Sequence, residues 1–163
     1  IGEHGQTGHT WNLHDEEIRV PMWIDAPPGT LAPGEIEHLR AARDAPLTEL
    51  EIAPTLLDLL GVWDDAALAP LRARMLGASL LRGLPSPDRV AVMTNCSSLF
   101  SCAVKNWGAI RGSRKLFAAE EDTAWHCYDA AVDPREKEDL GAGACEELRA
   151  AAEGDGRGTP FGP

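Results

Sequence analysis

LEIAPTLLDLLGV, residues 50–62, is the stretch whose reading decides the fold. Pro54 lacks an amide donor and suits a first helical turn, and Gly61 suits the residue just past a last turn. Between them Leu56, Leu57, Leu59 and Leu60 make one broad apolar face. These signals predict a helix. Upstream, GEIEHLRAAR (34–43) offers a further helical turn in a loop-like region. VPMWID (20–25) is a short apolar run closed by Pro27-Pro28-Gly29, which predicts one buried strand. Downstream, DDAALAPLRARML (64–76) adds a short helix before GASLL (77–81).

Beyond the breaker-rich GLPSPD (83–88), RVAVMTN (89–95) reads as a buried strand. VKNWGAIRG (104–112), RKLFAA (114–119) and AWHCYDA (124–130) are short runs separated by turn residues, the pattern of an antiparallel meander. CEELRAAAEG (145–154) predicts a final helix, and GRGTPFGP (156–163) a frayed tail.

The chain has 163 residues, enough for a proper core, and is 44% hydrophobic. Its formal charge of −11 argues against nucleic acid and anionic lipid as partners, since both would repel it. No run reaches the roughly 18 apolar residues of a membrane span. Residue 1 is isoleucine, so the chain is expected to be processed or cut from a longer one. Four cysteines, Cys96, Cys102, Cys127 and Cys145, include no C-x-x-C pair. Two disulfides fit, with neighbour pairing (Cys96–Cys102, Cys127–Cys145) the simplest of the connectivities. Four reduced thiols are the alternative.

Residues 1–19 are polar and glycine-rich, with His4, His9 and His14 spaced five apart. That spacing fits neither one helical face nor one strand face, so a three-histidine metal cage would need a special loop.

Several fragments together resemble the C-terminal part of the sulfatase family, in the alkaline-phosphatase-like superfamily. GEHGQTGHTWNLHDEEIRVPMWI resembles the segment that follows an Asp-His-Gly-Glu metal motif, and Glu16-Glu17-Ile18-Arg19-Val20-Pro21 matches its acidic–acidic–x–Arg–Val–Pro entry to a core strand. LEIAPTLLDLLGV is similar to the family's Pro-Thr-Leu-Leu-Asp-Leu-x-Gly helix, with Glu51 where aspartate is usual. GASLL is similar to the Gly-x-Ser-Leu that follows it, and Ser113-Arg114-Lys115-Leu116 to an Arg-x-Lys-hydrophobic strand. WHCYDAAVDPREKEDLG (125–141) resembles the late Tyr-Asp…Asp-Pro-x-Glu hairpin.

The resemblance covers residues 1–141 and implies an α/β fold. It would be the C-terminal portion of an alkaline-phosphatase-like α/β/α sandwich, followed by a small antiparallel sheet with a closing helix. Residues 1–100 would belong to the catalytic α/β domain, 101–155 to the antiparallel subdomain and 156–163 to a flexible tail. It implies a hydrolase of sulfate esters, with a small-molecule or glycan sulfate ester as substrate. The nucleophile, within Cys/Ser-x-Pro-x-Arg, and the metal ligands would lie in an upstream part of the same polypeptide. PSPDR (85–89) fails that motif, because proline stands at the nucleophile position. The implied divalent metal is calcium, and no metal ligand is assigned to this chain. Phosphoethanolamine- or phosphoglycerol-type transferases, which use zinc or manganese, are the alternative within the superfamily. A non-catalytic binding or structural module is the alternative outside it. The family's habitat and the cysteines imply an extracytoplasmic location, periplasmic or cell-surface, with any membrane anchor outside this chain.

By the same resemblance His9 is the catalytic and substrate-binding candidate, standing where the family carries lysine or histidine against the sulfate oxygens. A protonated imidazole there would stabilise charge developing in the transition state. His4 is a second substrate-binding candidate, lining the cleft or fixing the loop. His14 is expected to be structural, as are Glu3, Asp15, Glu16 and Glu17. Arg19 is expected in a local salt bridge, Lys115 as a solvated strand residue, and Asp129 and Asp133 as turn formers. His126 is expected as a packed or edge histidine, and Trp107 and Trp125 as core or sheet-face residues.

Overall fold

The structure, a computed structural model, describes residues 3–5, 12–95 and 105–154. The expectations for His9, for Cys96 and Cys102, for the domain boundary near residue 100 and for the tail fall outside these residues. In chain order the elements are a 3₁₀ turn (Glu3–Gly5), α1 (Asp15–Ile18), α2 (Pro33–Ala42), a 3₁₀ turn (Glu49–Glu51), α3 (Ile52–Leu59), a 3₁₀ turn (Ala66–Leu68) and α4 (Ala69–Arg72). Then come β1 (Ala91–Thr94), β2 (Asn106–Arg111), β3 (Arg114–Ala119), β4 (His126–Asp129), a 3₁₀ turn (Ala142–Cys145) and α5 (Glu146–Glu153). The chain is thus mixed α/β. It forms two compact units, Met22–Pro87 and the combination of Ile1–Pro21 with Asp88–Pro163.

The second of these is built on a four-stranded antiparallel sheet in the order β1-β2-β3-β4, the expected meander. RVAVMTN supplies one of the two edge strands, half-exposed rather than buried, pairing Ala91 with Ile110 and Thr94 with Trp107. A two-residue hairpin joins β2 to β3, with Gly112 at φ 60°, a conformation glycine adopts without a side-chain clash. Alternation along the strands divides the side chains between two faces. Ala109, Leu116, Ala118 and Cys127 meet Leu148 and Ala152 of α5, with Trp125 in the same cluster. The Cys127–Cys145 disulfide, one of the two expected, ties β4 to the start of α5. On the opposite face Phe117 and Tyr128 pack with Leu13. β3 is therefore buried on both sides. Gly108 lets β2 approach it, because a Cβ there would lie 2.0 Å from the Leu116 carbonyl oxygen.

Residues 22–87 fold around α3. Thr48 caps its entry: Leu50 N–H donates to the Thr48 hydroxyl, and Glu51 accepts from Thr48 N–H at 2.9 Å. This reciprocal pair explains the buried Glu51. The helix ends as its sequence predicts: Val62 N–H reaches the Leu57 carbonyl and Gly61 N–H the Asp58 carbonyl, with Gly61 at φ 72°. GASLL docks on the same helix. Leu80 N–H donates to Thr55 Oγ1 at 3.0 Å, Ser79 donates to Asp58 at 2.6 Å, and Arg82 grips Asp58 through two contacts of 2.8 Å. Gly77 passes so close that a Cβ would fall 1.8 Å from the Leu50 carbonyl oxygen. GASLL and α3 are thus held together by Thr55, Asp58, Ser79, Leu80 and Arg82.

One expectation is corrected. VPMWID is not a strand: it pairs with none among the described residues, and Val20 and Trp23 are 60% and 79% exposed. An extended run becomes a strand only where a neighbour takes its N–H and C=O groups. The apolar face of α3 is also uncovered. Leu56 and Leu60 are 53% and 73% exposed, and the buried residues of the helix are Pro54 and Thr55.

Candidate functional site

Leu13 to Ile18 lie across the face of the sheet that carries Lys115, Phe117 and Tyr128, and this cover creates the site. Lys115 alternates with Leu116 and so points away from α5. Residues 12–18 close that face, leaving the lysine only 1% exposed. The expectation of a solvated lysine is wrong for that reason. The ammonium lies 2.8 Å from Asp15 Oδ1 and 2.5 Å from Glu136 Oε1.

Glu136 is the hub. Its side chain is 1% exposed, and its second oxygen accepts from His14 Nδ1 at 3.1 Å and from Asp15 N–H at 2.8 Å. Burial pushes the carboxyl up, but the bonds from His14 and Lys115, the lysine charge and the Asp15 amide outweigh it. The balance takes the group from 4.5 down to about 2. Its carbonyl oxygen accepts from His4 Nε2 at 3.0 Å, and His4 Nδ1 lies 2.6 Å from Glu16 Oε1. A carbonyl and a carboxylate only accept, so both His4 nitrogens carry protons. Burial disfavours that imidazolium, but Glu16 and the Glu136 carbonyl outweigh it and raise His4 above 6.5. Glu16 is lowered in turn: burial opposes its ionisation, and the bond from His4 prevails.

The two imidazoles stack face to face, 3.6 Å between centroids and 2° between planes. His14 meets Phe117 and Tyr128 edge-on at 4.9 and 5.1 Å, which fixes its rotamer. His4 and Glu136 also share a backbone feature, φ of 51° and 48°. Each such non-glycine conformation costs on the order of 1 kcal/mol and persists only where surrounding contacts enforce it. Beside this network an open cleft of about 580 Å3 is lined by His4, Asn12, His14, Asp122, His126 and Tyr128, with Phe117 at its floor. Burial, with nearby carboxylates adding, pushes the Tyr128 hydroxyl up to about 12, so it stays a neutral donor.

The expected residues therefore stand as follows. His4 lines the cleft and fixes the opening segment, and His14 is buried behind it. Glu16 pairs with His4, Asp15 with Lys115, and Arg19 with Asp15 at 3.8 Å, the local bridge expected. Asp133 accepts from the amides of Arg135, Lys137 and Glu138, and Asp129 from Ala131, as turn formers do. His126 bonds Asp139 at 2.8 Å on the edge strand, and Trp125 is buried. Glu136 was missed as a site residue: in DPREKED only its place in the Asp-Pro-x-Glu resemblance sets it apart from Glu138, and that motif says nothing of its burial.

Among the described residues His4, His14 and Glu16 offer one ligand atom each within 4.8 Å of one another. Calcium takes six to eight oxygen ligands. This set of two imidazoles and one carboxylate does not fit the implied calcium. No helix among the described residues is long and apolar enough to cross a membrane.

No protein-family profile matches the chain, and no curated protein matches it in sequence. Among solved structures it is similar to BT4656, determined in complex with its substrate D-glucosamine-2-N,6-O-disulfate, at 25% identity and a TM-score of 0.44. The likeness covers 63% of this chain, which spans 22% of the length of that one.

Proposed function

We propose that the chain is the C-terminal part of a sulfate ester hydrolase of the sulfatase family, contributing its later core elements and a small antiparallel subdomain. The observation that carries this reading is the convergence of distant stretches of the sequence on one network whose centre, Lys115 with Glu136, is buried. His4 comes from GEHG, Asp15 and Glu16 from DEEIRVP, Lys115 from SRKL and Glu136 from DPRE. These stretches lie in the fragments that resemble the family, and burying the Lys115–Glu136 pair is costly enough to need a purpose. The network holds both ends of residues 3–18 on the sheet, and His9 lies within that span.

In this reading His9, as imidazolium, donates to a nonbridging or leaving oxygen of the sulfuryl group while an upstream nucleophile attacks sulfur. His4 is a substrate-side residue whose charge is held by Glu16. The divalent metal, calcium in this branch, would be held by residues of the upstream polypeptide and would supply Lewis-acid stabilisation of the transferring group. The uncovered VPMWID run and the bare leucines of α3 are the surfaces on which the rest of an α/β/α sandwich would pack. The Cys127–Cys145 disulfide supports an extracytoplasmic setting. The test is the longer polypeptide, assayed on an aryl sulfate. His9→Ala is expected to lower kcat/KM by about a hundredfold or more, while the 163-residue chain alone gives no turnover. An unchanged kcat/KM in His9→Ala refutes the role given to that residue. Turnover by the isolated chain refutes the placement of the nucleophile and metal upstream.

A further inference from the structure

We infer that His4, His14 and Glu16 form a binding site for a divalent transition-metal ion of the zinc class. This inference does not rest on the sulfatase reading, and it excludes the charged, substrate-side His4 of that reading, because the ion takes the place of the Nδ1 proton. The three side chains present donor atoms that all lie within 4.8 Å of one another. Around zinc, bonds of roughly 2.0–2.2 Å place tetrahedral donors about 3.3 Å apart. The His4–Glu16 contact, at 2.6 Å, would have to open.

The second observation is the outer shell. Metal-bound histidines characteristically donate their other N–H to a carboxylate or a backbone carbonyl, which fixes tautomer and ring orientation. Both imidazoles do so here, and to the same residue. His4 Nε2 donates to the Glu136 carbonyl, leaving Nδ1 as the ligand atom that faces Glu16. His14 Nδ1 donates to the Glu136 carboxylate, leaving Nε2. Glu136 is itself held by Lys115, and His14 is locked by Phe117 and Tyr128. The orienting groups are therefore in place, but the rings they hold lie parallel at 3.6 Å, so the stack must splay before Nδ1 of His4 and Nε2 of His14 point at one ion. Two nitrogens and one oxygen select zinc, cobalt or nickel over calcium and magnesium, which prefer all-oxygen shells. On binding, the ion replaces the Nδ1 proton of His4, which leaves to solvent, and a water completes the coordination. The ion would staple residues 3–5 to α1.

The tag-free 163-residue chain is titrated with Zn2+ against a chromophoric chelator, and with Co2+ for its visible spectrum. One ion per chain is expected, with the intense bands of a tetrahedral cobalt site. His4→Ala and Glu16→Gln, both at partly exposed positions, should each weaken Zn2+ binding by about tenfold or more. His126→Ala should leave it unchanged, and excess Ca2+ should not compete. Absence of stoichiometric binding, or binding that is the same in both variants, overturns the inference. Should either variant fail to fold, histidine 15N resonances of the unaltered chain decide: Zn2+ must shift His4 and His14, and shifts confined to the other histidines overturn it.

Discussion

Replacing Lys115 by methionine should be among the most damaging single changes in the sheet-bearing unit. The ammonium is 1% exposed and lies 2.8 Å from Asp15 and 2.5 Å from Glu136, whose side chain is also 1% exposed. Methionine fills a similar volume, so packing is nearly conserved and the effect isolates charge. Two carboxylates then face a buried site without their cation, and breaking such a pair costs about 3–5 kcal/mol. That is a large fraction of the 5–15 kcal/mol by which domains are typically stable. Neutralising the main victim should relieve part of the loss: Lys115→Met with Glu136→Gln should recover about 2 kcal/mol relative to Lys115→Met alone. The assay is urea unfolding followed by far-UV circular dichroism, with chelator present. A single-variant cost below about 1 kcal/mol, the level of an exposed ion pair, would refute the buried network. A double variant no more stable than the single would refute Glu136 as its hub.

Three further outcomes follow from the same contacts. Folding lowers the Glu136 carboxyl from 4.5 to about 2, so the unfolded chain takes up this proton first as pH falls. Its contribution should be full above pH 4.5 and be lost as pH drops toward 2, amounting to about 3 kcal/mol; Glu136→Gln should flatten that part of the stability–pH curve. Gly77→Ala places a methyl group where the Leu50 carbonyl oxygen would be 1.8 Å away, and should destabilise residues 22–87 by about 2 kcal/mol or more in chemical denaturation; Gly34→Ala, with open space around its Cβ position, is the matched control. Reducing the Cys127–Cys145 bond, which spans a sequence separation of 18, should cost about 3 kcal/mol by freeing a loop of that length in the unfolded chain, read as a lower urea midpoint.

What was legible in the sequence was local. Pro54 and Gly61 bracket α3 because proline and glycine act on the backbone at their own positions. The meander strands show as short runs because their turns contain the residues that turns require. Lys115 was misread because its environment is set by Asp15, a hundred positions away along the chain. Alternation correctly puts it on the face opposite Leu116, but nothing in RKLFAA says that residues 12–18 will cover that face. VPMWID reads as a buried strand because its composition demands it, yet burial needs a partner surface, and the described residues provide none for it or for the exposed leucines Leu56 and Leu60. The even spacing of the three histidines carried no information. His4 and His14 meet because α1 and the 3₁₀ turn before it fold onto Glu136, not because they lie ten residues apart.

The most direct test of the account is the group released by the longer polypeptide from matched aryl sulfate and aryl phosphate esters. The account predicts inorganic sulfate, released catalytically in the presence of divalent metal, with the phosphate ester a much poorer substrate. Preferential phosphoryl transfer would place the chain in the phosphotransferase branch, and no turnover of either ester would contradict the hydrolase reading.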